Sequence, residues 1–272
     1  MSVARLDECF AACRGAGRPA LVIYLTVGDP SLEDSLGCAR AALEAGADVL
    51  ELGVPFSDPS ADGPVIAAAS QRAIRAGGSL SAALELATRL RERSSAPLVL
   101  FTYLNPLIAF GEARLPGALA AAGVDALLVV DLPAEEGAEL RAGLGREDIA
   151  VVPLIAPTTS EEREASVLSG ARGFVYYVSA TGVTGLGDAP LERAAERARA
   201  VSARSGLPVV VGFGVDSPEK ARLLARAGVD GVVVGSTVVK AIAAASDGAA
   251  RVRVVSELVK SLRAAVGRGA QA

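Results

Sequence analysis

The chain has 272 residues, 51% of them hydrophobic, and a net charge of −4. That apolar content supports a large core, and the mild negative charge argues against nucleic acid as the main partner. It contains no histidine, which excludes a Ser-His-Asp triad, a Cys-His pair and a His-ligated zinc, and leaves acid–base work to carboxylates or tyrosines.

Short apolar runs alternate with longer amphipathic ones along the whole chain. A helical pattern over 3–14 precedes the first candidate strand, 21–26 (LVIYLT). Leu32, Leu36, Ala39 and Leu43 then share one helical face. The second strand, 49–54 (VLELGV), leads into a long loop and a further helical segment at 64–76. The remaining strands are expected at 98–103, 126–130, 150–155, 173–178, 208–212 and 231–235, with one more helical segment at 237–245. These strands are nearly continuous apolar runs, as strands covered on both faces should be. Thr159 with Glu162 resembles a capping box, and Asp216-Ser217-Pro218 places a cap before Pro at a first helical position.

A weak repeat marks the unit. Ala45-Gly46-Ala47-Asp48, Ala122-Gly123-Val124-Asp125 and Ala227-Gly228-Val229-Asp230 each join a helix end to a strand start, with Gly suited to the left-handed residue that ends a helix. Eight β–α units without a linker point to an α/β fold, a single (β/α)8 TIM barrel domain over residues 1–272. An open doubly wound sheet is the weaker alternative, because no GxGxxG follows the first strand. Three cysteines, Cys9 and Cys13 among them, give neither a disulfide framework nor a metal spacing. No apolar run is long enough to span a bilayer, and the N-terminus lacks a signal-peptide core, so a soluble cytoplasmic protein is expected.

Barrel active sites form at the C-terminal ends of the strands. There Glu51 stands out, a carboxylate inside an apolar strand. Strand alternation puts Val49, Glu51 and Gly53 on one face and Leu50, Leu52 and Val54 on the other. The leucines suit the helix layer, so Glu51 should point into the barrel, where desolvation raises its pKa. The competing reading is a structural Glu paired to an Arg, but no candidate strand contains Arg or Lys. The following loop, Pro55 to Pro64, carries Asp58 and Asp62. Asp58 before Pro59 suits a turn, whereas Asp62 could be either a helix cap or a catalyst.

Glycine-rich segments follow three later strands: Ser179 to Gly187, Gly212-Phe213-Gly214 and Gly235-Ser236-Thr237. Backbone N–H groups from such loops, with a helix N-terminus, make an anion cradle without Lys or Arg, so a phosphorylated small molecule is the favoured substrate. Tyr24, Phe101, Tyr103, Tyr176 and Phe213 lie in or at the ends of strands. They either fill the core or sandwich a flat apolar ring at the barrel mouth.

Taken together, YLTVGDP (24–30), LELGVPFSDPSADGP (50–64), TYLNP (102–106), DLP (131–133), YYVSATGVTG (176–185), GFGV (212–215) and GSTVVK (235–240) resemble the tryptophan synthase alpha chain family. The resemblance runs in order from residue 4 to residue 262. It implies cleavage of indole-3-glycerol phosphate to indole and glyceraldehyde 3-phosphate, no cofactor in this chain, and a pyridoxal-phosphate-dependent beta chain as partner in an alpha2beta2 heterotetramer. Carried over by motif, Glu51 matches the acid–base Glu, Asp62 the catalytic Asp and Tyr176 the adjacent Tyr. Gly185, Gly214, Gly235 and Ser236 match phosphate-binding positions, and Thr184 the closing loop. Tyr24, Leu128 and Phe213 match the walls of the indole pocket. Ala180 stands where the family often has Arg.

The residues agree with this chemistry on their own grounds. A retro-aldol cleavage usually uses a Schiff-base Lys or a metal. The strands have no Lys and the chain has no His. Acid–base catalysis remains, on a substrate whose leaving group stabilises itself; protonated indole does so.

Overall fold

The computed structural model describes residues 3–178, 189–212 and 214–267. In chain order the elements are α1 (Val3–Gly15), β1 (Ala20–Thr26), α2 (Leu32–Glu44), β2 (Val49–Gly53), α3 (Pro64–Arg75), α4 (Leu80–Arg91), β3 (Leu98–Thr102), α5 (Leu104–Phe110), α6 (Leu115–Ala121), β4 (Ala126–Val129), α7 (Ala138–Arg146), β5 (Ala150–Val151), β6 (Leu154–Ile155), α8 (Glu161–Leu168), β7 (Val175–Val178), α9 (Ala189–Ser205), β8 (Val209–Gly212), α10 (Pro218–Arg226), β9 (Gly231–Val234), α11 (Ser236–Ala244) and α12 (Gly248–Gly267). The three extra helical segments expected from sequence are α1, α3 and α11.

All pairings are parallel, in the order β5-β4-β3-β2-β1-β9-β8-β7-β6. The two ends of that order are consecutive in the chain. One extended run, 150–155, pairs with β4 through its first half and with β7 through its second. Val152 N donates to Leu127 O, and Pro153 O accepts from Tyr176 N. The strand expected at 150–155 is therefore broken in two. Pro153 has no N–H, so a continuous ladder cannot pass through it. The result is an eight-stranded barrel closed through this run.

Alternate strand residues divide the core into two layers. Val22, Tyr24, Val49, Val99, Phe101, Ala126, Leu128, Val210 and Val233 pack inside the barrel. Leu21, Ile23, Leu25, Leu50, Leu52, Leu98 and Leu100 pack outward against the helices. Val3, Leu6, Phe10 and Cys13 of α1 join the inner layer, with the rings of Phe10 and Phe174 5.5 Å apart. They close the N-terminal end of the barrel.

The repeat has a second meaning that its glycines alone do not convey. Gly46, Gly123 and Gly228 all have positive φ, 107°, 73° and 77°, and end helices as expected. The aspartate two residues later accepts a backbone N–H from the neighbouring strand: Asp48 from Leu21, Asp125 from Leu98 and Asp230 from Val209. Arginines complete these sites, Arg18 and Arg263 at Asp48, Arg5 and Arg91 at Asp125, and Arg14 at Asp230. The N-terminal rim is thus sewn together by carboxylates.

Two local expectations meet different outcomes. Ser217 caps α10, with Pro218 at its start, as read from sequence. The α8 cap is Ser160, accepting from Arg163 N, rather than Thr159. Thr159 Oγ1 instead accepts from Ala156 N and shapes the preceding turn. Among the described residues, no helix is long and apolar enough to cross a membrane.

Candidate active site

Glu51 faces inward from β2 as the alternation requires, with Val49 in the inner layer and Leu50 and Leu52 in the outer one. It is fully buried, and both of its carboxylate oxygens lack a hydrogen-bond partner among the described residues. No described arginine pairs with it, which counts against the structural reading. Desolvation pushes its pKa up to about 8.

A cavity of about 260 Å³ opens above it, lined by Tyr24, Glu51, Asp62, Pro64, Val65, Ile66, Phe101, Tyr176, Gly214, Val233, Gly235 and Ser236, among others. Grooves of about 490 and 530 Å³ lie elsewhere, one against the 129–134 loop and α8, the other along α10. Neither is lined by a fully buried carboxylate, as the smaller cavity is.

Asp62 is not a helix cap. Gly63 occupies the N-cap position of α3 and makes no side-chain cap bond. The Asp62 carboxyl faces the cavity, and burial raises its pKa to about 6 against the pull of the Tyr103 hydroxyl. The two carboxyls are thereby set apart. Near pH 7 Glu51 is mostly protonated and Asp62 mostly ionised, an acid and an anion facing one space. Asp58 is exposed and bonds locally, its carboxylate accepting from Ser57 Oγ, as a turn residue would.

The apolar walls come from both sides. Tyr24 and Phe101 meet edge to face with centroids 5.4 Å apart, while Val65 and Ile66 contribute from the first turn of α3. Those two were missed from sequence, although an apolar pair directly after the Asp62 loop was a usable signal. A Cβ on Gly53 would collide with the Tyr24 hydroxyl, and one on Gly212 with that of Tyr176. Two strands give up a side chain so that phenol rings can lie across them. Burial, with Glu51 nearby, raises the Tyr176 pKa well above normal, so it stays a neutral phenol.

Gly214, with φ 80°, and the Gly235-Ser236 start of the nine-residue α11 also line the cavity. Exposed backbone N–H groups at such a helix start favour an anion. Two residues expected in the pocket are placed differently. Leu128 belongs to the inner layer beside Phe101 but does not line the cavity. Tyr103 lies behind the 55–63 loop rather than on the cavity wall. Gly185, Thr184, Phe213 and Ala180 lie outside the described residues.

The family model described as "Tryptophan synthase alpha chain" matches residues 10–267. The chain belongs to the tryptophan synthase alpha chain family. It is 48% identical to the tryptophan synthase alpha chain of Citrifermentans bemidjiense, over 88% of this chain and 89% of that one. With the alpha chain of Alkalilimnicola ehrlichii the identity is 46%, over 96% of each. Among solved structures, the alpha chain of Legionella pneumophila subsp. pneumophila superposes with a TM-score of 0.86 at 32% identity, covering 96% of this chain and 97% of that one. A chain of Mycobacterium tuberculosis tryptophan synthase does so with a TM-score of 0.87 at 35% identity, covering 97% and 99%. The alpha chain is a lyase that cleaves indole-3-glycerol phosphate in tryptophan biosynthesis and acts with the beta chain.

For this alpha chain the raised Glu51 pKa also carries a stability consequence. Between the ordinary carboxyl value of 4.5 and the folded value of about 8, the native state holds a proton that the unfolded chain releases. Stability therefore falls as pH rises through that window, by about 1.4 kcal/mol per pH unit at most. Asp62 adds a smaller loss of the same sign between 3.8 and about 6. Glu51→Gln removes the larger slope, so urea unfolding should show the variant gaining stability over wild type at pH 8 but not at pH 4.5. An equal difference at both would contradict a buried neutral Glu51.

Proposed function

We propose that the cavity is the catalytic site of the lyase, with Glu51 as the acid–base residue and Asp62 as the anion that meets the indole N–H. The observation that carries this reading is the burial of an unpartnered Glu51 carboxyl beside a second carboxyl of lower pKa. The indole ring would lie between Tyr24 and Phe101 on one side and Val65 and Ile66 on the other. The phosphate would sit against Gly214, Gly235 and Ser236, with Gly185 completing the cradle.

The proton balance closes on one residue. Protonated Glu51 gives its proton to indole C3, and the positive charge that develops on the ring is shared through the N–H with Asp62 carboxylate. Glu51, now a carboxylate, removes the proton of the glycerol hydroxyl next to C3. The C–C bond breaks, its electrons return to the ring, and indole and glyceraldehyde 3-phosphate leave with Glu51 protonated again. Tyr176, a neutral phenol near Glu51, would position the glycerol chain. Thr184 would act in the closing loop, where Ala180 replaces the frequent Arg.

The same reading takes the whole chain as one cytoplasmic barrel domain without a cofactor. Its beta-chain partner would carry pyridoxal phosphate in an alpha2beta2 heterotetramer and receive the indole. The test is indole release from indole-3-glycerol phosphate by the purified chain, with and without a beta chain. Slow release alone and strong acceleration by the partner are expected. Full release rates without any partner would make this a stand-alone lyase, and no release in either case would remove the catalytic assignment.

A further inference from the structure

Tyr103 is the residue whose place departs most from its sequence-based assignment. β3 ends at Thr102, and Tyr103 occupies the N-cap position of α5 with an extended backbone. The residue is 2% exposed, yet it borders a segment in which Ser57, Asp58, Ser60 and Ala61 are all exposed. Its hydroxyl accepts a hydrogen bond from Ala61 N at 3.0 Å, and its ring lies 5.0 Å from that of Phe56. One side chain thus touches both ends of the loop that carries Asp62. Within the loop itself the bonds are local, Ser60 N to Asp58 O and Asp62 N to Pro59 O.

The direction of the Ala61 bond matters. A phenol oxygen that accepts from an amide keeps its own O–H to donate. That O–H is free to donate to the carboxyl of Asp62, the residue next to Ala61, and its pull favours the ionised form.

We propose that Tyr103 is a positioning residue: its hydroxyl ties the 55–63 loop to the barrel mouth and fixes the Asp62 carboxylate toward the substrate. This rests on the reading of Asp62 given above. The alternative role, a cavity wall for the indole ring, is not open to a side chain that the loop covers. Preorganising an acceptor by a buried donor removes the cost of ordering it during the reaction. The cost would otherwise be large, because the loop consists mostly of Pro, Ser, Asp and Gly and offers little apolar surface to anchor it.

Tyr103→Phe keeps the ring and its contact with Phe56 and removes only the hydroxyl. The groups that face Asp62 from other elements are Glu51 on β2, Tyr24 on β1 and Tyr176 on β7, and Asp131 acts on Tyr103 from the loop after β4. All stay in place in the variant, and no Lys or Arg lines the cavity among the described residues. Three changes are expected together. The Ala61 amide exchanges its hydrogen faster, kcat/KM for indole-3-glycerol phosphate falls by about tenfold or more, and the acid limb of the kcat/KM profile moves to higher pH.

An unchanged Ala61 exchange rate would overturn the tether. Faster exchange with unchanged kcat/KM would show a tether irrelevant to catalysis. A loss of activity with a lower Tm and an unmoved acid limb would reduce Tyr103 to a structural residue. Asp62→Asn, run beside it, reports on the underlying reading. If that variant keeps full turnover, Asp62 is not catalytic and the proposal falls with it, whatever the amide shows. If it is impaired, adding Tyr103→Phe should cause no further loss.

Discussion

Glu51→Gln should lower turnover of indole-3-glycerol phosphate by about two to four orders of magnitude and leave substrate affinity within a few-fold of wild type. Gln matches Glu in size and keeps the cavity shape. It can neither deliver a proton to C3 nor take one from the glycerol hydroxyl, and the proposed mechanism assigns both transfers to this one side chain. The unpartnered oxygens of Glu51 mean that the substitution breaks no hydrogen bond to the described residues. A folding defect is therefore not expected to obscure the result. Single-turnover kinetics with a ligand-binding titration would separate the two effects, and near-normal turnover would take Glu51 out of the chemistry. The wild-type profile should also rise and fall with pH, its limbs set by carboxyls near 6 and 8.

Asp125→Ala is expected to cost stability rather than chemistry, about 3 kcal/mol and up to 5. Asp125 is fully buried at the rim away from the catalytic mouth. It accepts from Arg5 Nε at 2.7 Å, from Arg91 Nη2 at 2.8 Å and from Leu98 N at 2.8 Å. Burial pushes its carboxyl up against the pull of all three donors. Removing it leaves a strand amide without its acceptor and two guanidinium groups without their counter-ion, although both keep backbone carbonyl partners. The arginine side chains are 27% and 19% exposed, so they can partly turn to water, which favours the lower figure. Urea denaturation would read the loss, and kcat of the folded fraction should stay close to wild type. A loss below 1 kcal/mol would mean that the rim relaxes around the missing carboxylate.

How much of this was legible beforehand follows from which interactions are local. Strand alternation placed Glu51 inside, and the lack of strand cations ruled out a partner, so the central residue was readable from a few neighbours. Asp62 was ambiguous because an Asp before Gly-Pro and a helix fits a cap and a catalyst equally; the folded position of Gly63 as the cap takes away the first reading. Tyr103 was misassigned for a definite reason. Val99 and Phe101 point inward, and the same period would carry Tyr103 inward too, but β3 stops one residue earlier and the chain turns into α5. Leu128 kept its period and faces inward, yet facing inward at that level is not the same as reaching the cavity. The rim aspartates were visible as a repeat, but their donors come from strands 21 to 27 residues away, which local pattern does not reveal.

The split run at 150–155 makes the barrel a rolled strip whose two ends share one length of chain. Around β1 neighbouring strands hold each other over several registered pairs, five between β1 and β2 and four between β1 and β9, whereas β8 and β9 share two. At the seam each side has two. Local opening free energy follows the density of such bonds. The ring should therefore breathe at β5 and β6 long before it parts between β1 and β2, with backbone amides there exchanging before those of β1 and β2. The carboxyl-bearing strand β2 lies three strands away from β5, next to β1 on the opposite side of the ring, so the barrel can flex at the clasp without disturbing the side chain to which the proton transfers are assigned.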